Sequence, residues 1–419
     1  MWDGYIDLIR RGVILSARSC ETGGVCGGIT KMALGNNIGF SGEVDDSLFD
    51  HLWCSIVFES ERELDGFRLL GYTQAAPSLS FVSKTKETSD CCESAPCSCM
   101  RKTQNPPTSL ALDELRTAWE STLENVFPTK TEQHGSIPTI QNETRPSRRT
   151  AAAFMKPKAV LPVFPGTNCE YDTAAAIERA GGIAETVMIR NLTPEMLAES
   201  VTALDKAIKS AQMIVFPGGF SGGDEPDSSG KYIVSLFRNE RLTDAIHSLL
   251  YDRDGLVLGI CNGFQALIKL GLLPYGKIST MTENCPTLTF NRIGRHQSRY
   301  INTRVSSVIS PWLSKCLPGE VYVQPVSHGE GRLAAPASLL EELKENGQVT
   351  FQYVDFDGTP SMDIAYNPNG SAWAIEGITS ADGRILGKMG HTERYAKHVA
   401  KNIPGNKFLP LFEGGVGYF

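Results

Sequence analysis

Long hydrophobic runs are missing from this chain of 419 residues. Uncharged stretches such as 255–268 are too short and too polar to span a bilayer, which argues against a membrane anchor. A secretory leader is not expected either, because Asp3, Asp7, Arg10 and Arg11 break up the start of the chain. Basic charge is also in short supply. Lys and Arg number 40 against 47 Asp and Glu, a formal net charge of −7, and no basic patch is interleaved with aromatics. Nucleic acid and anionic membranes are therefore poor matches as main partners. What remains is an ordinary soluble composition, 41% apolar and 21% charged, in a chain long enough for two or three domains. The eleven cysteines are odd in number and widely spread, which suits a reducing, cytoplasmic setting better than a disulfide framework.

Polar residues, prolines and charges crowd the stretch from about Ser83 to Lys158, so it reads as a linker over 84–157. One amphipathic helix, about 110–127, interrupts it: Leu112, Leu115, Trp119, Leu123 and Val126 recur at spacings of three and four, enough for an apolar stripe that lies on a neighbouring domain. Pro106-Pro107 and R-P-S-R-R at 145 to 149 belong to the linker. Cys91, Cys92, Cys97 and Cys99 raise the question of a metal site, but the spacing lacks paired C-x2-C motifs, and an oxidisable loop is the preferred reading.

From Ala159 onward the pattern alternates strand and helix: A-V-L-P-V-F, a helix near 172–180, E-T-V-M-I, a helix near 194–209, then Q-M-I-V-F. This predicts a doubly wound, mostly parallel α/β domain, followed after Thr287 by a β-rich insertion. Sites in such sheets lie at the carboxyl ends of the strands. One of those ends carries L-V-L-G-I-C-N-G-F-Q at 256–265, where an apolar strand meets a helix beginning near Phe264. The sharp turn explains the small residues Gly259 and Gly263 and lifts Cys261 to the first helical turn, where amides and the helix dipole are expected to lower the thiol pKa. A buried structural cysteine is the plainer reading, and the G-x-C-x-G frame with Gln265 behind it favours a nucleophile.

A thiol nucleophile needs a base and an orienting group. Met389-Gly390-His391-Thr392-Glu393 offers both, and an extended backbone over 391–393 would bring imidazole and carboxylate to one side. The alternative is a His-x-Glu that opens a helix over 394–400, with the glutamate answering its dipole. Gly218 and Gly219, after M-I-V-F-P, present unshielded amides for an oxyanion, or simply a turn. Gly230-Lys231-Tyr232 lacks the rest of a phosphate-binding loop. Gly219-Phe220-Ser221-Gly222-Gly223 matches a serine-hydrolase elbow, yet the acidic Asp224-Glu225-Pro226-Asp227 follows where a helix should. His328, in Ser327-His328-Gly329-Glu330-Gly331-Arg332, is the rival base. It ranks second because no apolar strand delivers it beside a carboxylate, and its glycines suggest a loop closing over a ligand, with His328 and Glu330 as substrate contacts.

Five blocks, F-P-G-T-N-C-E-Y-D, F-P-G-G-F-S-G-G-D, G-I-C-N-G-F-Q-A-L, S-H-G-E-G-R and M-G-H-T-E-R, together resemble the class I, flavodoxin-like glutamine amidotransferase domain at the C-terminal end of large phosphoribosylformylglycinamidine synthase, over 158–419. The resemblance implies Cys261 as the nucleophile that attacks the glutamine side-chain amide and forms a glutamyl thioester, with His391 and Glu393 completing the triad. It implies an oxyanion site near Gly219 and the Asn262 amide, and Gln265 shaping the glutamine pocket. Residues 1–83, with Arg18 to Gly24 and K-M-A-L-G-N-N-I-G-F, are similar to part of the final synthase subdomain, although the family commonly has a histidine near Arg18. The chain is thus expected to begin inside the synthase half. On this resemblance the glutaminase step needs no cofactor, while ATP and magnesium serve a synthase step whose sites lie on another domain or subunit. The competing readings are a noncatalytic regulatory relic of the fold and a cysteine or serine hydrolase using Ser221.

Overall fold

The computed structural model describes residues 2–44, 46–50, 54–83, 109–131, 137–145, 156–223 and 230–419. Cys91, Cys92, Cys97, Cys99, Pro106, Pro107, Pro146 to Arg149 and Asp224 to Asp227 lie outside the described residues. The chain divides into two compact units, residues 1–129 with 400–403 and residues 130–399 with 404–419.

The first unit is α+β. Ile14–Ser19 pairs antiparallel with Ile56–Ser60, and a second sheet runs Gly71–Gln74, Gly39–Val44, Ser78–Ser83, Ser109–Ala111. Helix Gly24–Asn36 buries Val25, Ile29 and Leu34 in a core shared with Leu79 and Leu112. The expected helix over 110–127 is shorter, Leu112–Ser121. The Ser121 and Thr122 hydroxyls turn back onto the Ala118 carbonyl, competing with the helical ladder where it stops. Its stripe is only half covered: Leu112 and Leu115 join the core of this unit, whereas Trp119, Leu123 and Val126 are exposed.

The second unit is built on a nine-stranded sheet. Its longer elements, besides the short helices Leu272–Tyr275 and Leu411–Val416, are in chain order β1 (Lys158–Val163), α1 (Glu170–Arg179), β2 (Ile183–Met188), α2 (Pro194–Ser210), β3 (Met213–Phe216), α3 (Lys231–Phe237), α4 (Glu240–His247), β4 (Leu256–Ile260), α5 (Asn262–Leu270), β5 (Thr287–Phe290), β6 (Gln297–Val305), β7 (Val321–His328), β8 (Glu330–Ala334), α6 (Ala337–Glu345), β9 (Val349–Val354), β10 (Ile375–Thr379) and β11 (Ile385–Lys388). The sheet order is β7-β6-β9-β10-β11-β4-β3-β1-β2. From β11 to β2 the pairing is parallel, and from β7 to β11 it is antiparallel.

Hydrophobic patterning explains this division. M-I-V-F in β3 and L-V-L-G-I in β4 are buried at every position, as central parallel strands covered on both faces require. Within the parallel part the order β2-β1-β3-β4-β11 reverses direction at β1 and β3, the flavodoxin-like arrangement in which the crossover helices take opposite faces. The α/β architecture inferred from the alternating pattern is the observed one, and the β-rich segment after Thr287 supplies the antiparallel extension. Ile140, within the stretch read as linker, is buried in the core of this unit, with its amide on Gln352 Oε1 at 2.9 Å. The loops after β1, β3, β4 and β11 share one edge of the sheet, and the residues that could do chemistry are on them.

Candidate active site

β4 ends at Ile260 and α5 begins at Asn262, leaving Cys261 alone to turn the chain. It does so at φ 51° and ψ −105°, a region that a side-chain-bearing residue enters at a cost of about 1–3 kcal/mol. The neighbouring glycines make the turn possible. A Cβ at Gly263 would lie 2.1 Å from the Phe216 carbonyl oxygen, and one at Gly259 would lie 2.6 Å from Leu267 Cδ1. The Cys261 amide donates to the Lys388 carbonyl at 2.8 Å, tying the elbow to the end of β11. Its thiol is buried and faces the Ser327 carbonyl at 3.8 Å.

The lowered thiol pKa expected at this position is not found. Burial pushes the Cys261 thiol well above its ordinary value, and the nearby Cys169 and Glu393 push the same way. Arg394 and the Asn262 amide pull in the other direction without offsetting them. Desolvation outweighs the helix terminus, so the resting thiol keeps its proton and a base has to remove it.

Immediately after β11 the chain supplies such a base. His391 Nδ1 lies 2.6 Å from Glu393 Oε1, with both side chains buried. Burial raises the Glu393 carboxyl, but the charge of His391 and its hydrogen bond outweigh that and hold it below the usual carboxylate range. An ionised carboxylate only accepts, so His391 Nδ1 carries a proton directed at Glu393, and Nε2 is buried with no hydrogen-bond partner among the described residues. The backbone differs from the extended one expected: Thr392–Arg394 is a 3-10 turn, and it is the turn that folds the carboxylate back onto the ring. The helix considered over 394–400 does not form, since Tyr395 is extended and Arg394 reaches back to Cys169 Sγ at 3.2 Å.

Two glycines make room for the imidazole and the turn beside it. A Cβ on Gly218 would stand 2.8 Å from His391 Cε1. Gly219 follows at φ 143°, where a Cβ would meet Thr167 Cα at 2.7 Å. The Gly218 carbonyl accepts from the Cys169 amide, and the Phe220 amide reaches the Gly166 carbonyl, so the loops after β1 and β3 are stitched together. The Gly219 amide forms no hydrogen bond among the described residues.

The remaining sequence-derived residues form one wall. Asn262 Nδ2 donates to Gln265 Oε1 at 2.9 Å, and Gln265 Nε2 donates to the Glu330 carbonyl. Asn262 Oδ1 accepts from the Ser221 amide at 3.4 Å. Ser221 itself lies in a buried turn and not at a strand-to-helix elbow, which removes the serine-hydrolase geometry. His328 and Glu330 are not in a closing loop: His328 ends β7 and Glu330 starts β8. His328 Nδ1 contacts Asn291 Oδ1 at 3.2 Å, and burial, followed by the charges of His391 and His296, pushes its pKa down to about 3. It is therefore a neutral imidazole fixed by an amide, without a carboxylate partner among the described residues such as His391 has.

Residues 156–419, well over half of the chain, match the CobB/CobQ-like glutamine amidotransferase domain. The chain is 34% identical over 283 residues to the phosphoribosylformylglycinamidine synthase subunit PurQ of Methanococcus maripaludis, spanning 97% of that protein and 63% of this chain. It belongs to this family of glutamine amidotransferases. The Rhodospirillum rubrum PurQ subunit is 36% identical over 243 residues, covering 92% of that protein and 58% of this chain. Among solved structures, PurLQS from Thermotoga maritima is 26% identical over 63% of this chain and 99% of that one, with a TM-score of 0.45.

In this amidotransferase a second cysteine, Cys169, stands beside His391 and Glu393 without having been expected there. It ends the loop after β1, with Sγ 3.8 Å from His391 Nδ1, and burial followed by the Glu393 charge pushes its thiol up to about 11. Cys169, His391 and Glu393 present their ligand atoms within 4.8 Å of one another. A signal was present: F-P-G-T-N-C carries a cysteine at a strand-to-helix junction, the same context that drew attention to Cys261.

Proposed function

We propose that this chain hydrolyses the side-chain amide of glutamine through Cys261, His391 and Glu393, and that the ammonia serves phosphoribosylformylglycinamidine synthesis in purine biosynthesis. The observation that carries the reading is the strained Cys261 at the end of β4, one strand away from the buried His391–Glu393 pair after β11. His391 Nε2 takes the thiol proton as Sγ attacks the amide carbon. The tetrahedral oxyanion is held by the amides of Gly219 and Asn262, the first without a hydrogen bond among the described residues and the second already directed at the thiol. His391 returns the proton to the leaving nitrogen, ammonia departs, and water hydrolyses the thioester by the same route. Glu393 holds the imidazole in the Nδ1–H tautomer throughout. Gln265, fixed by Asn262 and the Glu330 carbonyl, shapes the pocket for the substrate.

In the same reading the chain is the C-terminal part of a large synthase, working in the cytoplasm. The relative from Methanococcus maripaludis accounts for 63% of it, and the match to the amidotransferase domain starts at residue 156, after the 1–129 segment of the first compact unit. The ammonia would be consumed by a synthase domain or subunit that holds formylglycinamide ribonucleotide and ATP. Magnesium prefers oxygen ligands, and the clustered donors among the described residues are a thiol, an imidazole and a carboxylate, a set that does not fit it. The test is ammonia release from glutamine by the full chain: it should be measurable in the parent and lost in Cys261→Ala. Equal rates in the two proteins would overturn the reading.

A further inference from the structure

Deep under the proposed triad lies an ion pair that the chemistry above leaves unused. Lys388 Nζ is 3.3 Å from Glu376 Oε1, and neither side chain has any solvent exposure. A buried pair of this kind is weak support for stability, because desolvation costs roughly as much as the attraction returns. What distinguishes this pair is what else it holds.

Lys388 ends β11, and Glu376 lies on the adjacent antiparallel strand β10. From there both reach forward to the segment that carries His391. The Gly390 amide donates to Glu376 Oε1 at 2.6 Å, and the Gly390 carbonyl accepts from Lys388 Nζ at 2.9 Å. Lys388 Nζ also donates to Thr392 Oγ1 at 3.1 Å, so it contacts residues on both sides of His391. Glu376 is anchored in turn by the Thr303 hydroxyl at 3.3 Å. Residue 390 has no room for a side chain: a Cβ there would be 2.9 Å from both Glu376 Oε1 and Lys388 Nζ. The Lys388 carbonyl meanwhile receives the Cys261 amide. One residue thus holds the nucleophile's turn through its backbone and the base's segment through its side chain.

The geometry points to Lys388 and Glu376 as positioning residues for glutamine hydrolysis: their buried pair grips both polar groups of Gly390 and the Thr392 hydroxyl, and so sets the backbone from which His391 meets Cys261. This inference rests on His391 being the base proposed above. Misplacing a reacting group by about 1 Å costs on the order of a hundredfold in rate, so loss of the grip should appear in turnover and leave binding alone.

The test uses the full chain and the double variant Lys388→Met/Glu376→Gln, which removes the buried charges while keeping side-chain volume and an acceptor for the Gly390 amide. Folding is followed by thermal melting, and functional sites are counted by stoichiometric labelling of Cys261 with a glutamine-mimicking diazoketone. Per labelled site, kcat for ammonia release should fall at least about tenfold while KM for glutamine stays within about twofold. A pair with only a structural role would lower the melting temperature or the number of labelled sites and leave kcat per site intact; that result overturns the inference. Should the double variant fail to fold, Thr392→Val removes a single contact to Lys388 and should lower kcat per site by about threefold at constant KM, and an unchanged value again overturns it. Absence of ammonia release by the parent would instead reject the proposed hydrolysis, and this inference with it.

Discussion

A Cβ added to Gly218 would stand 2.8 Å from Cε1 of His391, closer than side chains approach without one of them moving. The imidazole is held by Glu393 through Nδ1, which the added carbon would also approach at 3.4 Å, so the ring has to shift against that hydrogen bond. Gly218→Ala should therefore lower kcat for glutamine hydrolysis by on the order of tenfold to a hundredfold with little loss of thermal stability. Steady-state kinetics beside a melting curve checks this.

Gly263→Ala tests the elbow itself. In a helix, alanine is normally favoured over glycine by about 1 kcal/mol. Here the new carbon would lie 2.1 Å from the Phe216 carbonyl, a backbone atom in β3 that cannot swing aside. The clash should win and destabilise the second unit by roughly 2–3 kcal/mol, read from urea unfolding. A more stable variant would mean that α5 and β3 do not approach as described.

Thiol reactivity separates the resting state from an activated one. Burial pushes the Cys261 thiol up, whereas at Cys285 burial, the largest single effect, also raises the thiol but is outweighed by the combined hydrogen bonds with Thr282 and Tyr275, which pull it below the ordinary value. Iodoacetamide at neutral pH should alkylate Cys285 at least about tenfold faster than Cys261, as peptide mass spectrometry would show. A faster Cys261 would indicate a thiolate already formed in the free protein.

His328 sets a pH dependence of stability. Its folded pKa of about 3 lies below the usual 6.5, so the fold excludes a proton that the unfolded chain takes up between those values. Stability is lost as pH falls from about 6.5 toward 3, with a slope approaching about 1.4 kcal/mol per pH unit from this group. In His328→Asn that part of the slope should disappear, and unfolding measured at pH 7 and pH 5 in both proteins would show it.

The parallel half of the sheet was readable because burial on both faces leaves runs such as M-I-V-F and L-V-L-G-I with little else to be. Cys261 was readable for a related reason: two glycines around one thiol report a turn that no larger neighbour tolerates. What the sequence concealed was set by tertiary contact. The state of the Cys261 thiol depends on burial and on Cys169 and Glu393, residues far off in the chain, and local helix-terminus reasoning gave the wrong direction. His391 and Glu393 were rightly paired for the wrong backbone, a turn taking the place of an extended strand. His328 appeared to lie in a loop because glycines surround it, yet Gly331 is there to let the β7–β8 junction close against the ring, where a Cβ would be 2.7 Å away. Lys388 gave no signal, since a lysine at the end of a strand is ordinarily read as solvated.

The measurement closest to the central claim is acid quenching of the full chain during turnover of labelled glutamine, followed by mass spectrometry of the Cys261 peptide. The account predicts a glutamyl thioester on Cys261, and its absence in both Cys261→Ala and His391→Asn. Label on Cys169 or Ser221, or ammonia released with no adduct on Cys261 under conditions that trap thioesters, would contradict it.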